Sequence, residues 1–304
     1  MTATFGEENE MRYPYSAAAR ATAGFLVGGL LALALPAVAK AQAPKVLLIG
    51  DSWAAQQWED GSHATVFGVH GAQHHLVVGE TTTESGSTAQ EWADPQRLAV
   101  IAQALAANPQ IDTAQITIGG NDFLDAWSTG LSPAQELALQ ELIRDDLKTV
   151  VDHLLEHRPD MDIVVSLYDY PNFRDTLGSL AGLVCQPLHT SLGAPTPLQL
   201  NTAMMSFEAM LADSLTAHPR VNLVSHAGQM QFTYGLASDG IAPGQLLPPG
   251  DPSLPSPVAA MRDHGFLGRD CFHLTPAGYD VLVQNLYENY FQVRFDTLLK
   301  SPFE

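Results

Sequence analysis

Four apolar residues, Val46, Leu47, Leu48 and Ile49, stop abruptly at Gly50, Asp51 and Ser52. A short apolar run halted by a glycine predicts a buried strand, and Ser52 then lies at its carboxyl end, where open α/β sheets carry their chemistry. A lone serine there is usually a helix cap or a turn residue, so its meaning depends on the partners downstream.

The pattern recurs along the chain. Val66 to Val78 alternates loosely and supplies a second strand. Thr88 and Glu91 form a T-x-x-E capping box, which predicts a helix from Ala89 to about Ala107, ended by Asn108 and Pro109. Thr113 to Ile118 reads as a strand running into Gly119, Gly120, Asn121 and Asp122. Ser132, Pro133 and Gln135 give the N-cap, N1 proline and N3 glutamine of a helix reaching about His157. Ile163 to Leu167 and Val221 to Val224 follow as strands, with a helix over Leu200 to Leu215 between them. Strands alternating with helices of this length imply βαβ crossovers, hence a parallel sheet with helices on both faces.

Two irregular segments interrupt this rhythm, 168–197 and 226–269, the second with six prolines at 243, 248, 249, 252, 255 and 257. Loops this long in a compact domain are usually functional covers, and the second leads straight to Asp270, which favours a wall or lid over the site. Asp270 and His273 stand three residues apart, before Thr275 and Pro276 as cap and N1 of a last helix with Val281, Leu282, Leu286 and Phe291 inward. On a turn, that carboxylate can hold one imidazole nitrogen and leave the other free, as a general base for serine requires. The plainer alternative is an aspartate offsetting the helix dipole beside a surface histidine. Gly86, just before the helix at Ala89, is most simply a turn residue, although its N–H is also well placed to bind an oxyanion.

His70, His74 and His75 lie close together, but they lack a carboxylate at ligand spacing and read as exposed strand or loop residues, not as a metal site. Cys185 and Cys271 are either a disulfide or two buried thiols. Apolar residues make up 46% of the chain and charged ones 15%, which allows a sizeable core. A net charge of -19 repels nucleic acid and anionic headgroups and leaves neutral substrates as the expectation.

Residues 1–39 read as a secretory signal peptide, with Arg12 and Arg20 ahead of the uncharged run Ala21 to Ala39 and a small-x-small end at Ala37 to Ala39. Acidic Met1 to Glu10 suits such a start poorly, so Met11 is the better first residue. The rival is an uncleaved membrane anchor, against which Pro36 and two cleavage-like sites weigh. The chain from 44 to 304 is then one domain in a secreted or periplasmic protein, inserted in a membrane only if the leader stays.

Gly50, Asp51 and Ser52, Gly86 within Ser85 to Thr88, Gly119 to Asp122 as GxND, and Asp270 to His273 as DxxH followed by LTPAGY resemble, in order, the blocks of the SGNH (GDSL-type) hydrolases. Each motif is weak alone; four in order, each beside the expected strand or helix end, are specific. Trp53 departs from the family's leucine and puts a ring beside the serine. The G-x-S-x-G elbow of α/β-hydrolases is absent. The resemblance implies a flavodoxin-like three-layer α/β/α sandwich around a five-stranded parallel sheet. It implies Ser52 as nucleophile, His273 as general base and then acid, and Asp270 as orienting group. The Ser52 and Gly86 N–H groups with the Asn121 amide would form the oxyanion hole, with Asp51 and Asp122 as structural neighbours.

These roles describe an exported carboxylic-ester hydrolase without metal or cofactor, acting on a small-molecule or lipid ester. Trp53 shapes the pocket in this reading, and Tyr170, Phe173, Leu177 and Leu180 either line an acyl pocket or belong to the core. A carbohydrate O-acetyl esterase is the alternative enzyme, and a non-catalytic binding protein on the same fold the alternative of another class.

Overall fold

β1 (Ala43–Gly50) carries Val46, Leu47, Leu48 and Ile49 at 0–1% exposure, so both of its faces are covered. The computed structural model describes residues 43–180 and 182–299, and the expected leader over 1–39 lies outside them. After β1 come α1 (Ser52–Glu59), α2 (Ser62–Val69), β2 (His75–Val78), α3 (Ala89–Trp92), α4 (Pro95–Ala107) and β3 (Thr113–Thr117). Next are α5 (Gly120–Ala126), α6 (Pro133–His157), β4 (Asp162–Ser166), α7 (Phe173–Thr176), α8 (Gly182–Ser191), α9 (Pro197–Leu215) and β5 (Val221–Val224). The chain continues through α10 (Gln229–Tyr234), β6 (Met261–Asp263), β7 (Arg269–Leu274), α11 (Pro276–Leu286) and α12 (Gln292–Leu299).

β1 to β5 form a parallel sheet in the order β2-β1-β3-β4-β5. Period-2 alternation splits its residues between two layers. Leu47, Ile49, Ile116 and Val165 pack with Trp92, Ile101, Phe123, Leu147 and Phe207 from α3 to α6 and α9. Val46, Val164 and Val224 face Phe67, Leu286, Phe291 and Phe295 from α2, α11 and the segment that follows. The expected three-layer α/β/α sandwich around five parallel strands is therefore the observed one. Among the described residues, no helix is long and apolar enough to cross a membrane.

Local chemistry corrects several boundaries. The helix expected from Ala89 to Ala107 is two, because Asp94 accepts the Gln96 N–H and caps a new helix with Pro95 at N1. Most of Val66 to Val78 is not a strand: α2 takes its start, and β2 is limited to four residues. Within 168–197 lie α7 and α8, and α9 begins at Pro197, three residues ahead of Leu200, under a Thr196–Gln199 capping box. Segment 226–269 holds α10 and β6.

The largest correction concerns Asp270 and His273, which sit on a strand and not on a plain turn. β7 pairs antiparallel with β6 in a separate two-stranded ribbon, where the step from Met261 to Asp263 faces the longer step from Leu274 back to Arg269. The surplus residues of β7 form a bulge, which re-aims side chains that a regular strand would send to opposite faces.

Candidate active site

The turn after β1 leaves room for nothing larger than a hydrogen on Gly50. Its φ is +150°, and a Cβ would stand 1.9 Å from the Thr117 carbonyl oxygen of β3. Asp51 donates its N–H to that oxygen at 3.1 Å and accepts the Trp53 N–H at 2.9 Å, capping α1. Ser52 is thereby the first residue of α1, 8% exposed, at the carboxyl edge of the sheet. β1 and β3 flank the place where strand order reverses, the usual ligand crevice of open α/β sheets.

The bulge of β7 brings the other two groups to it. Asp270 Oδ1 accepts the N–H groups of Phe272 and His273, both at 2.9 Å, while Oδ2 lies 3.0 Å from His273 Nδ1. His273 Nε2 is 2.8 Å from Ser52 Oγ. With the carboxylate accepting from Nδ1–H, Nε2 is left to accept the serine proton. Burial raises the Asp270 carboxyl, but the bond to His273, its charge and the two N–H groups outweigh this and hold it below the ordinary carboxylate range. His264 Nε2 also approaches Asp270 Oδ2, at 3.4 Å.

Across the crevice, Gly119 takes φ +105° where a Cβ would press on Ile143, and α5 starts at once with Gly120 and Asn121. Asn121 Nδ2 donates to the Ser87 carbonyl at 2.8 Å, which ties the amide to the residue after Gly86. Gly86 itself is exposed at φ +84°. Asp122 accepts the Ala89 and Gln90 N–H groups at 2.7 and 3.2 Å, joining α5 to the start of α3. Ser52, Asn121, His273 and Asp270 are thus linked by direct bonds or by adjoining strand ends.

A slot lined largely by apolar side chains opens beside Ser52. Trp53, Tyr170 and Phe173 line it, and Phe173 belongs at the same time to the main core cluster. Leu177 borders a neighbouring hollow instead, and Leu180 is 56% exposed. Tyr168 to Pro171 form much of one wall, and segment 226–269 adds Ala227. Sequence reasoning passed over Tyr168, whose hydroxyl donates to Asp51 and accepts the Gly120 N–H at 2.9 Å, and Met204, Phe207 and Glu208 of α9. The signal for Tyr168 was present: a ring two residues beyond an apolar strand lies at the same sheet edge as Ser52.

Of the histidines near β2, His75 is buried and stacks on Phe295 with ring centroids 3.9 Å apart, while His70 is exposed as expected and stacks on Tyr287 at 4.0 Å. Cys185 and Cys271 form a disulfide, which ties α8 to β7 between Asp270 and His273. Among the described residues, the one cluster of metal-capable groups is Cys185, Asp270 and Cys271, and its sulfurs are bonded to each other.

The sequence model of a family described as GDSL-like Lipase/Acylhydrolase matches residues 48–281. None of the curated proteins compared matches the chain. Solved structures with a similar course include the periplasmic domain of a lipopolysaccharide acetyltransferase from Salmonella ser. Paratyphi A, 12% identical over 83% of this chain and 85% of that one, with TM-score 0.49. A GDSL-like lipase from Bacteroides thetaiotaomicron is 12% identical over 82% and 88%, with TM-score 0.45. A family 3 carbohydrate esterase from Clostridium thermocellum is 14% identical over 84% and 98%, with TM-score 0.43.

Proposed function

The chain belongs to the GDSL-like lipase/acylhydrolase family, and we propose that within it this protein is an exported serine carboxylic-ester hydrolase. The observation that carries this reading is the unbroken chain of hydrogen bonds from Asp270 through His273 to Ser52. As Ser52 Oγ attacks the ester carbonyl carbon, its proton passes to His273 Nε2. The negative charge moves to the carbonyl oxygen, toward the Ser52 and Gly86 N–H groups and the Asn121 amide. Collapse breaks the bond to the alcohol oxygen, which takes the proton from Nε2 and leaves. Water then attacks the acyl-serine, gives a proton to Nε2, and the acid departs as Ser52 regains it. Asp270 keeps the imidazole in the tautomer that accepts at Nε2.

The apolar lining of the slot favours acyl esters of some length over the acetyl groups of a carbohydrate O-acetyl esterase. Hydrolysis of p-nitrophenyl esters from acetate to palmitate, wild type beside Ser52→Ala, tests both points. Activity that vanishes in the variant and rises beyond acetate agrees with the reading; equal activity in the two proteins removes Ser52 as nucleophile. Export is supported by the basic start and apolar run of residues 1–39 and by the disulfide, with 44–304 as one hydrolase domain behind a cleaved leader. N-terminal sequencing of the exported protein would find Lys40 first.

A further inference from the structure

The slot beside Ser52 is longer than a single residue pocket. It begins at Ser52 and Trp53 after β1, passes Asn121 and Phe123 after β3 and Tyr168 to Pro171 after β4, and reaches Ala227 after β5. α9 covers it with Met204, Phe207 and Glu208. From β1 to β5 are three strand spacings, about 14 Å at the usual interstrand distance. Glu208 stands at the β5 end, since the Ser225 hydroxyl, one residue beyond β5, bonds its carboxylate. Glu208 is half-buried, and burial raises its carboxyl above the ordinary value. Among the described residues, no cation is among the groups that act on it.

We propose that the acyl chain of the substrate lies in this slot from Ser52 to Glu208, and that Glu208 is the specificity-determining residue that sets its maximum length. The inference rests on the ester-hydrolase reading. His273 must reach the leaving oxygen, so the alcohol occupies its side of Ser52 and the acyl chain takes the slot past Asn121. An extended chain advances about 1.25 Å per methylene from ~1.5 Å bonds, so about ten carbons cover the three strand spacings from β1 to β5. A methyl group arriving at Glu208 would strip the remaining water from a carboxylate held by the Ser225 hydroxyl but by no cation, and that loss opposes further burial of the chain. Esters up to about decanoate gain with each methylene, and longer ones lose.

The test has two arms. In the first, kcat/KM is measured on p-nitrophenyl butyrate, decanoate and palmitate for wild type and Glu208→Leu. The wild type prefers decanoate to palmitate, and Glu208→Leu raises the palmitate-to-butyrate ratio about tenfold or more, as apolar contacts replace a desolvated charge. Glu208→Gln, which keeps the shape and a polar group, raises the same ratio about threefold and stands in if the leucine variant does not fold.

The second arm needs no turnover. Calorimetric titration of Ser52→Ala and Ser52→Ala/Glu208→Leu with methyl nonyl ketone and methyl pentadecyl ketone reads the slot directly. Ser52→Ala favours the shorter ketone, and the double variant loses that preference. An inactive wild type with this binding pattern sinks the hydrolase reading and leaves Glu208 at the end of the slot. Normal hydrolysis with the same palmitate-to-butyrate ratio in wild type and variants overturns the assignment of Glu208.

Discussion

The Tyr168 hydroxyl bonds Asp51 Oδ2, and because it also accepts the Gly120 N–H, one side chain from the end of β4 couples the loop of Ser52 to the loop of Asn121. Its ring meets Trp53 edge-on with centroids 5.2 Å apart. Tyr168→Phe keeps that ring contact and leaves both polar partners unpaired. Stability falls by about 1–3 kcal/mol in urea unfolding, and kcat falls about tenfold or more as the two loops shift against each other. An unchanged kcat would mean that the coupling does not position Ser52 or Asn121.

Asn121 holds the Ser87 carbonyl with one amide hydrogen and has a second to offer. Asn121→Ala lowers kcat about 100- to 1000-fold, the usual loss for one oxyanion donor, while KM changes little. A variant with raised KM and normal kcat would assign Asn121 to substrate binding instead.

Burial pushes Asp51 up to about 7 from the ordinary 3.8, against the opposing bonds from Tyr168 and the Trp53 N–H. The folded protein therefore binds this proton more tightly than the unfolded chain. The contribution to stability is complete below the unfolded value and is lost as pH rises through about 7. Urea midpoints of wild type and Asp51→Asn at about pH 5 and about pH 8 check the sign: the wild type loses more stability across that interval than the variant, which cannot titrate there. Parallel slopes would show that Asp51 is already ionised at the lower pH.

Cys185 and Cys271 close a loop across a sequence separation of 86. Chain-entropy arguments assign such a loop about 4–5 kcal/mol. The double serine variant unfolds at lower urea by roughly this amount or less, and its kcat drops because Cys271 lies between Asp270 and His273. Alkylation in denaturant with intact-mass readout finds no free thiol in the wild type.

Most of the sheet was legible because its strands are short apolar runs ended by glycine, as at Gly50 and Gly119, and its helices carry side-chain caps, as at Thr88 and Ser132. The break at Asp94 and Pro95 follows the same rule and went unread because the apolar period continues through it. α7 and α8 were hidden by weak periodicity in a segment whose buried residues face the slot and the disulfide. The residue types and order of the Ser52, Asn121, Asp270 and His273 blocks were legible, but not the ribbon that carries the last two. A three-residue interval has no preferred side on a strand until a bulge supplies one, and that bulge depends on pairing with distant Met261 and Asp263. Tyr168 and Glu208 belong to no motif; only the tertiary arrangement brings the end of β4 and one face of α9 to the same slot.

Ser52 and Asn121 are fixed to five hydrogen-bonded strands, whereas Asp270 and His273 ride on a ribbon of two that the Cys185–Cys271 disulfide braces against α8. Small ribbons open at lower cost than central sheets. Function and fold should then fail separately once that disulfide is reduced: in rising urea, ester hydrolysis disappears while far-ultraviolet circular dichroism still reports an intact sandwich, and dilution restores it without global refolding.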